Sequence, residues 1–297
     1  MSDYRRRHFL STLFGTGVAS MALSQEKLSY KGENIRFGLV TYMWGADLDL
    51  PALIGSLEKA EVLGVELRID QAHGVSPKLS AAERSEVRKK FEDSKVELVG
   101  MGTNFNFHSP DPAEVKKNIE GAKEYITLCH DIGGSGVKVK PDQLPKNVAK
   151  EKTLEQIGKA LAELGDYSSG FGQEIRLEVH GQVTDLGDVA SVMKTAGRPN
   201  VRVCWNSNDK DQEGEGIEAN FAKVQDYLGH TVHIRGANVP GYAWDKLAKL
   251  LVAADYDGWV LLEAGGKRPE GDPAAIFAAQ KEAFMKLVTA ARVGAGA

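Results

Sequence analysis

The chain has 297 residues, a formal net charge of −4 at pH 7, 42% hydrophobic residues and 26% charged residues. This composition is typical of a soluble globular protein, and the length is close to the ~250 residues of a single α/β barrel. Duplex nucleic acid requires a basic footprint on its partner, so the acidic balance disfavours nucleic-acid binding. Only Cys129 and Cys204 occur, which excludes a disulfide scaffold and a zinc site built from Cys-x-x-Cys pairs.

The first two dozen residues differ in character from the rest of the chain. A basic run, Arg5-Arg6-Arg7, precedes His8-Phe9-Leu10 and a modestly apolar stretch that is too short to span a bilayer as a stable helix. Residues 6–10 read Arg-Arg-x-Phe-Leu and resemble a twin-arginine export signal. We therefore expect residues 1–24 to be a signal segment of an exported, periplasmic protein with no membrane span in the mature chain. A basic tail without signal function is the alternative.

From residue 33 onwards, short apolar runs alternate with longer amphipathic runs, a pattern that predicts repeated β/α units. Strands are predicted at residues 35–41, 64–69, 96–102, 136–139, 174–179, 201–205, 231–234 and 259–262, and helices at 50–63, 81–93, 112–132, 153–170, 185–195, 218–228, 242–254 and 273–291. Asp111, followed by Pro112, and Asp185 are the expected caps of the third and fifth helices.

Eight strands that alternate with eight helices are the number in a closed (β/α)8 TIM barrel. We therefore predict a single α/β domain of this fold over residues 33–292. An open doubly wound sheet is the alternative, but no Gly-x-Gly-x-x-Gly sequence follows the first predicted strand to support it.

Four of the predicted strands end in a polar residue that can bind a divalent metal. These residues are Glu178, Asn206, His233 and Glu263, and they are spaced by roughly 27 to 30 residues, the length of one strand plus one helix. Their side chains would meet at one rim of the barrel. Two carboxylates, an imidazole and an amide oxygen suit one Mn²⁺, Zn²⁺, Co²⁺ or Mg²⁺ ion. The alternative is an internal salt-bridge network with neighbouring Arg and Lys residues.

Alternation along the strands predicts a polar barrel interior. Side chains point to opposite faces of a strand in turn, so Arg176, Glu178 and His180 share one face while apolar residues occupy the other. The same alternation assigns to the inner face Glu66, Arg68 and Asp70, Lys138 and Lys140, and His233 and Arg235. Burying so many charges would be costly unless they meet a metal, a substrate or one another.

Other residues near the strand ends are candidates for substrate chemistry. His180, on the same face as Glu178, and Lys140 are candidate acids or bases, and Trp44 is a candidate wall for a sugar ring. For the loop residues His73 and His108, the alternative is a hydrogen-bonded structural role. The complete set of predicted substrate-binding residues is Trp44, Arg68, His73, His108, Lys138, Asn208 and Arg235.

Five segments together resemble a known family. They are Gly64-Val65-Glu66-Leu67-Arg68, Ala72-His73-Gly74-Val75, Gly136-Val137-Lys138-Val139-Lys140-Pro141, Arg176-Leu177-Glu178-Val179-His180-Gly181 and Cys204-Trp205-Asn206-Ser207-Asn208. On these residues the chain resembles the sugar phosphate isomerase/epimerase superfamily of xylose-isomerase-like TIM barrels, and within it the exported bacterial members. The resemblance implies a Glu, Asp, His, Glu metal set at Glu178, Asn206, His233 and Glu263. The chain departs from this set at Asn206, where Asp is usual, and at Asn208, where a His often follows two residues later.

The resemblance also implies an activity. In ketose epimerases of this fold, two metal-bound glutamates exchange a proton beside a carbonyl through an enediolate, a role that Glu178 and Glu263 would take here. Other relatives cleave or hydrate oxidised sugars, so a metal-dependent lyase or hydratase acting on 3-keto-sugars or keto-glycosides is an alternative, with His180 or Lys140 as acid or base. A non-catalytic sugar-binding protein is the alternative of another class. An endonuclease-IV-like phosphodiesterase is disfavoured by the acidic balance. In each sugar hypothesis the partner is a small carbohydrate; the particular sugar and the oligomeric state are not predicted.

Overall fold

Eight strands alternate with eight α-helices along residues 31–295, the part of the chain that the computed structural model describes. The strands are β1 (Arg36–Val40), β2 (Gly64–Arg68), β3 (Glu97–Asn106), β4 (Gly136–Lys140), β5 (Glu174–Glu178), β6 (Val201–Asn206), β7 (Leu228–Ile234) and β8 (Trp259–Leu262). The helices are α1 (Leu50–Ala60), α2 (Ala81–Glu92), α3 (Pro112–Asp131), α4 (Lys150–Ser169), α5 (Leu186–Ala196), α6 (Ile217–Ala222), α7 (Trp244–Ala253) and α8 (Pro273–Ala295). The predicted signal segment, residues 1–24, lies outside the described residues.

The strands pair in parallel in chain order, and β8 pairs back with β1 to close the sheet. Closure leaves no strand edge unpaired, and each helix returns the chain to the same end of the barrel. The predicted (β/α)8 barrel is therefore confirmed, and the open doubly wound sheet is wrong.

The helix starts follow from side-chain capping. Asp111 accepts a hydrogen bond from the Ala113 N–H with Pro112 in the first turn, and Asp185 accepts from the N–H groups of Gly187 and Asp188. Each cap satisfies N–H groups that have no partner within the helix, so both predicted caps are confirmed.

Among residues 31–295, no helix is long and apolar enough to cross a membrane.

Several element boundaries differ from the prediction. Strand β2 ends at Arg68, so Asp70, predicted on its inner face, lies beyond the strand and is exposed. The sixth helix, predicted to reach residue 228, ends at Ala222, and a short 3₁₀ turn leads into β7 at Leu228. The third strand continues to Asn106, beyond its predicted end at residue 102, because Asn106 still pairs with Lys140 of β4. The longer β3 carries the chain towards the rim that holds the polar residues.

Apolar residues fill two separate regions. The larger core lies between sheet and helices and includes Val260 and Leu262, whereas Trp259 and Leu261, which alternate with them, belong to a small cluster on the inner face together with Val40 and Val99. This inner cluster extends from Trp259, the first residue of β8, to Leu261, which pairs with His233 of β7.

Candidate metal centre

The predicted metal ligands come together at the C-terminal rim of the barrel. Glu178 ends β5, Asn206 ends β6, His233 is the penultimate residue of β7 and Glu263 follows β8 directly. One carboxylate oxygen each from Glu178 and Glu263 and one ring nitrogen of His233 lie within 4.8 Å of one another. Parallel pairing brings the strand ends to one side of the barrel: Asn206 pairs with His233, and Glu178 pairs with Cys204, two residues before Asn206.

Asn206 connects the two carboxylates. Its amide Nδ2 donates a hydrogen bond to Oε1 of Glu178 at 2.8 Å and lies 3.5 Å from Oε2 of Glu263. A half-turn of the amide would exchange Nδ2 for Oδ1, the atom that ligates cations. The amide of Asn206 thus donates to both candidate acidic ligands, and metal ligation by Asn206 stays a prediction.

Glu178 is buried against a lysine. The ammonium of Lys138 lies 2.5 Å from Oε2 of Glu178 and also donates to the Thr103 carbonyl at 3.3 Å. Burial favours the neutral acid, but the neighbouring Lys138, His233 and Lys140 outweigh it and hold the pKa of Glu178 well below its ordinary value. Lys138, predicted to bind substrate, is thus the direct partner of a candidate ligand.

His233 lies between two carboxylates in the barrel interior. Its Nδ1 is 3.5 Å from Oε2 of Glu263 and its Nε2 is 3.5 Å from Oε1 of Glu66. Burial opposes a charge on the imidazole, yet the neighbouring Cys204, Glu66 and Glu263 raise the pKa of His233 well above its ordinary value. A positive charge is favoured at this position, whether a proton or a cation supplies it.

The residues present fit a divalent ion. Both ring nitrogens of His233 and both oxygens of Glu66 are buried without a hydrogen-bond partner among the described residues. Such atoms are rare in folded proteins and call for an explanation such as a missing ion. Glu178, His233 and Glu263, with the amide oxygen of Asn206, supply the oxygen and nitrogen donors that Mn²⁺, Zn²⁺, Co²⁺ and Mg²⁺ accept.

A second polar group lies beside this centre. His180 Nδ1 is 2.7 Å from Oδ1 of Asp142, and His180 Nε2 is 3.3 Å from the ammonium of Lys140. Asn106 donates to the other oxygen of Asp142 at 3.3 Å. Asp142, His180 and Lys140 form a chain of polar contacts in this order, and we call them the rim triad. Burial lowers the pKa of Lys140, against the opposing charge of Glu178.

Glu66 and Asp142 were not among the predicted site residues. Glu66 was placed on the inner face of its strand by alternation, but the proximity of His233 was not predicted because β1 and β8 separate β2 from β7 in the sheet. Asp142 follows Lys140 by two residues, and this carboxylate next to a predicted base was the available signal. Its contact with His180 depends on loop conformation, which alternation does not predict.

Several predicted substrate-binding residues make hydrogen bonds within the protein. His73 accepts from the Val75 N–H at Nδ1 and contacts the Arg68 carbonyl through Nε2 at 2.7 Å, so both ring nitrogens are engaged. Arg68 donates to the carbonyls of Gly102 and Thr103 and to the Asn104 side chain. These contacts hold the loops after β2 and β3, and substrate binding by either residue stays a prediction.

The remaining predicted residues lie around the rim. Asn208 donates to the carbonyls of Val179 and Asn206, and Arg235 contacts the carboxylate of Asp209. Indole Nε1 of Trp44 and Nδ1 of His108 are buried without a hydrogen-bond partner in the described chain. Substrate binding by these four residues stays a prediction.

Family membership follows from a sequence comparison. A profile of the family described as xylose isomerase-like TIM barrel matches residues 55–286, most of the chain. The chain belongs to this family. The resemblance seen in the sequence motifs is thereby confirmed at the level of the superfamily. A search of curated protein sequences finds no match to the chain.

Solved structures resemble this xylose isomerase-like barrel over nearly their full length. An L-ribulose 3-epimerase has a TM-score of 0.75 at 15% identity, covering 88% of this chain and 97% of its own. The IolI protein with a bound zinc atom has a TM-score of 0.72 at 17% identity, covering 86% and 98%. A 3-keto-D-glucoside 4-epimerase from E. coli has a TM-score of 0.67 at 16% identity, covering 86% and 99%. At these identities the likeness establishes the fold alone.

Proposed function

We propose that the protein is a divalent-metal-dependent sugar isomerase or epimerase that transfers a proton beside a carbonyl through an enediolate. The observation that carries this proposal is the convergence of donor atoms from Glu178, His233 and Glu263 within 4.8 Å at the C-terminal ends of the strands. Similarity in fold to an L-ribulose 3-epimerase and to a zinc-containing protein supports the substrate class and the metal.

The two glutamates have the properties that proton exchange requires. Both approach the same amide group of Asn206, so they are close enough to serve one substrate carbon from two sides. Lys138 keeps Glu178 ionised, and hence able to accept a proton. When bound, a divalent ion would act as a Lewis acid toward the carbonyl and hydroxyl oxygens of the sugar. Glu178 and Glu263 would remove the proton and return it on the opposite face.

The test is solvent-isotope incorporation. The parent protein, reloaded with Mn²⁺, is incubated in D₂O with L-ribulose, D-psicose and D-fructose, and isomeric products are analysed by NMR. We expect a product with deuterium on the carbon beside the carbonyl, and a loss of about 100- to 10,000-fold in Glu178→Gln and Glu263→Gln. Glu270→Gln, at an exposed position in the loop after β8, is the matched control and retains activity.

The rim triad favours a second candidate, a lyase acting on 3-keto-glycosides. Two glutamates suffice for epimerisation, whereas β-elimination also requires an acid for the leaving group. A glutamate would take the proton from C2, the C1–C2 double bond would form as the C1–O bond breaks, and His180 would protonate the departing oxygen. Asp142 orients that imidazole by the 2.7 Å contact at Nδ1.

Product analysis separates the candidates. Incubation with a 3-keto-glucoside that carries a chromophoric aglycone releases the alcohol if the protein is a lyase, whereas an isomer of unchanged connectivity indicates an epimerase. Sugar binding that survives chelation, without deuterium incorporation or aglycone release, would contradict both and indicate a non-catalytic binding protein.

A further inference from the structure

Glu66 is a buried carboxylate without a role in the proposed reaction. It lies in the middle of β2 with no exposure to solvent, and neither of its oxygens has a hydrogen-bond partner among the described residues. The neighbouring strand provides the space for it, since a Cβ atom at Gly102 would lie 2.5 Å from Oε1 of Glu66. An ionisable group in this setting is costly unless something compensates its charge.

The hydrogen-bond donor that faces Glu66 is Nε2 of His233. Nε2 of His233 lies 3.5 Å from Oε1 of Glu66, while Nδ1 lies 3.5 Å from Oε2 of Glu263. An imidazole that binds a metal does so through one nitrogen and retains a proton on the other. The Nδ1 side faces the acidic ligands, so the Nε2 side carries the proton.

We propose that Glu66 is the positioning residue of the metal centre, accepting the Nε2–H of His233 and thereby directing the Nδ1 lone pair toward the ion. The inference rests on the proposed function only in requiring that the rim site bind a divalent ion. A carboxylate behind a ligating histidine fixes the tautomer and raises the basicity of the ligand, and removal of such a partner costs about 10- to 100-fold in metal affinity.

The charges around Glu66 support this assignment. Lys138 and Arg176 are close enough to favour its ionised form, but both direct their hydrogen bonds elsewhere: Lys138 to Glu178 and Thr103, and Arg176 to Glu174, Val99 and Ser135. They therefore compensate the charge of Glu66 without occupying its oxygens. Those oxygens remain available to the imidazole.

The test measures Mn²⁺ binding by calorimetry in chelator-treated protein, without any sugar. Glu66→Gln keeps the size and an acceptor oxygen, Glu66→Met keeps only the size, and Glu86→Gln removes one charge from the surface of α2 as the control. We expect the Kd to rise by about 10- to 100-fold in Glu66→Met, to rise less in Glu66→Gln, and to stay unchanged in Glu86→Gln. An unchanged Kd in Glu66→Met would overturn the positioning role and leave the proposed function intact. An absence of Mn²⁺ binding in the parent would overturn both.

A second measurement does not depend on the folding of the variants. Long-range ¹⁵N–¹H NMR spectra of the zinc-loaded parent identify which nitrogen of His233 is protonated. We expect a protonated Nε2 and a ligating Nδ1 in His233. A protonated Nδ1 would overturn the inference.

Discussion

The ammonium of Lys138 lies 2.5 Å from Oε2 of Glu178, and neither side chain exposes more than 1% of its surface. The ammonium of Lys138 thus places a positive charge beside the proposed metal ligands. Together with the amide at position 206, where the sequence resemblance implies a carboxylate, it reduces the negative charge that attracts a cation. We therefore expect the metal affinity of the proposed site to depend on the balance of these few charges.

The amide at position 206 offers the most direct test of this balance. We expect Asn206→Asp to tighten Mn²⁺ binding by about tenfold or more, ~1.4 kcal/mol, because it adds a formal charge beside Glu178 and Glu263. Calorimetry on chelator-treated protein measures this change. Asn147→Asp, at an exposed position, is the matched control and leaves the Kd unchanged. An unchanged or weaker affinity in Asn206→Asp would indicate that the ion does not contact this residue.

The sequence predicts the parts of this site that depend on periodicity. Glu66, Lys138 and Arg176 were assigned to the inner face because side chains alternate in any strand, and all three are fully buried. The contact between Asp142 and His180 was not predicted, because it depends on the left-handed backbone of Asp142 (φ 57°) and on the turn at Gly181 packed against it. The sixth helix was predicted to be longer than it is, because its amphipathic pattern continues across the 3₁₀ turn that leads into β7.

The rim triad is tested by removing the orienting carboxylate. Asp142→Asn keeps the size of the side chain but weakens its hold on His180 Nδ1, so we expect kcat to fall by about 10- to 100-fold with little change in KM. Asp188→Asn, at the start of α5, is the control for loss of an aspartate. If deuterium exchange is retained while aglycone release falls, His180 is the acid for the leaving group. Equal kcat in Asp142→Asn and the parent would remove the rim triad from the mechanism.

Asp211 predicts a pH dependence of stability. It is fully buried, and its Oδ2 accepts hydrogen bonds from Tyr242 at 2.6 Å and from the Asn208 N–H at 2.9 Å. Burial nevertheless raises the pKa of Asp211 to about 7. The folded protein therefore holds this proton more tightly than the unfolded chain, so its stability falls as the pH rises from about 4 through 7.

Urea unfolding at pH 5 and pH 8 measures this contribution. We expect the free energy of unfolding of the parent to decrease between these values by on the order of 1–3 kcal/mol more than that of Asp211→Asn, which cannot ionise at this position. Asp226→Asn, on the surface, is expected to follow the parent at both pH values. Parallel pH profiles for Asp211→Asn and the parent would show that Asp211 is ionised without cost.

Two glycines, Gly64 in β2 and Gly55 in α1, should respond in opposite ways to substitution by alanine. A Cβ atom at Gly64 would lie 2.5 Å from ring carbons of Trp259, and that ring is held by a 3.2 Å hydrogen bond from Nε1 to Glu97 and by the guanidinium of Arg36, 4.3 Å from its centroid. Because the ring cannot move without losing these contacts, we expect Gly64→Ala to lower the free energy of unfolding by ~1–3 kcal/mol.

At Gly55, on α1, an added Cβ meets nothing within 4 Å. Gly55→Ala should therefore raise the free energy of unfolding by ~0.5–1 kcal/mol, since alanine favours the helix. Urea denaturation followed by circular dichroism compares the two, and equal effects would contradict the close packing of Trp259 against β2.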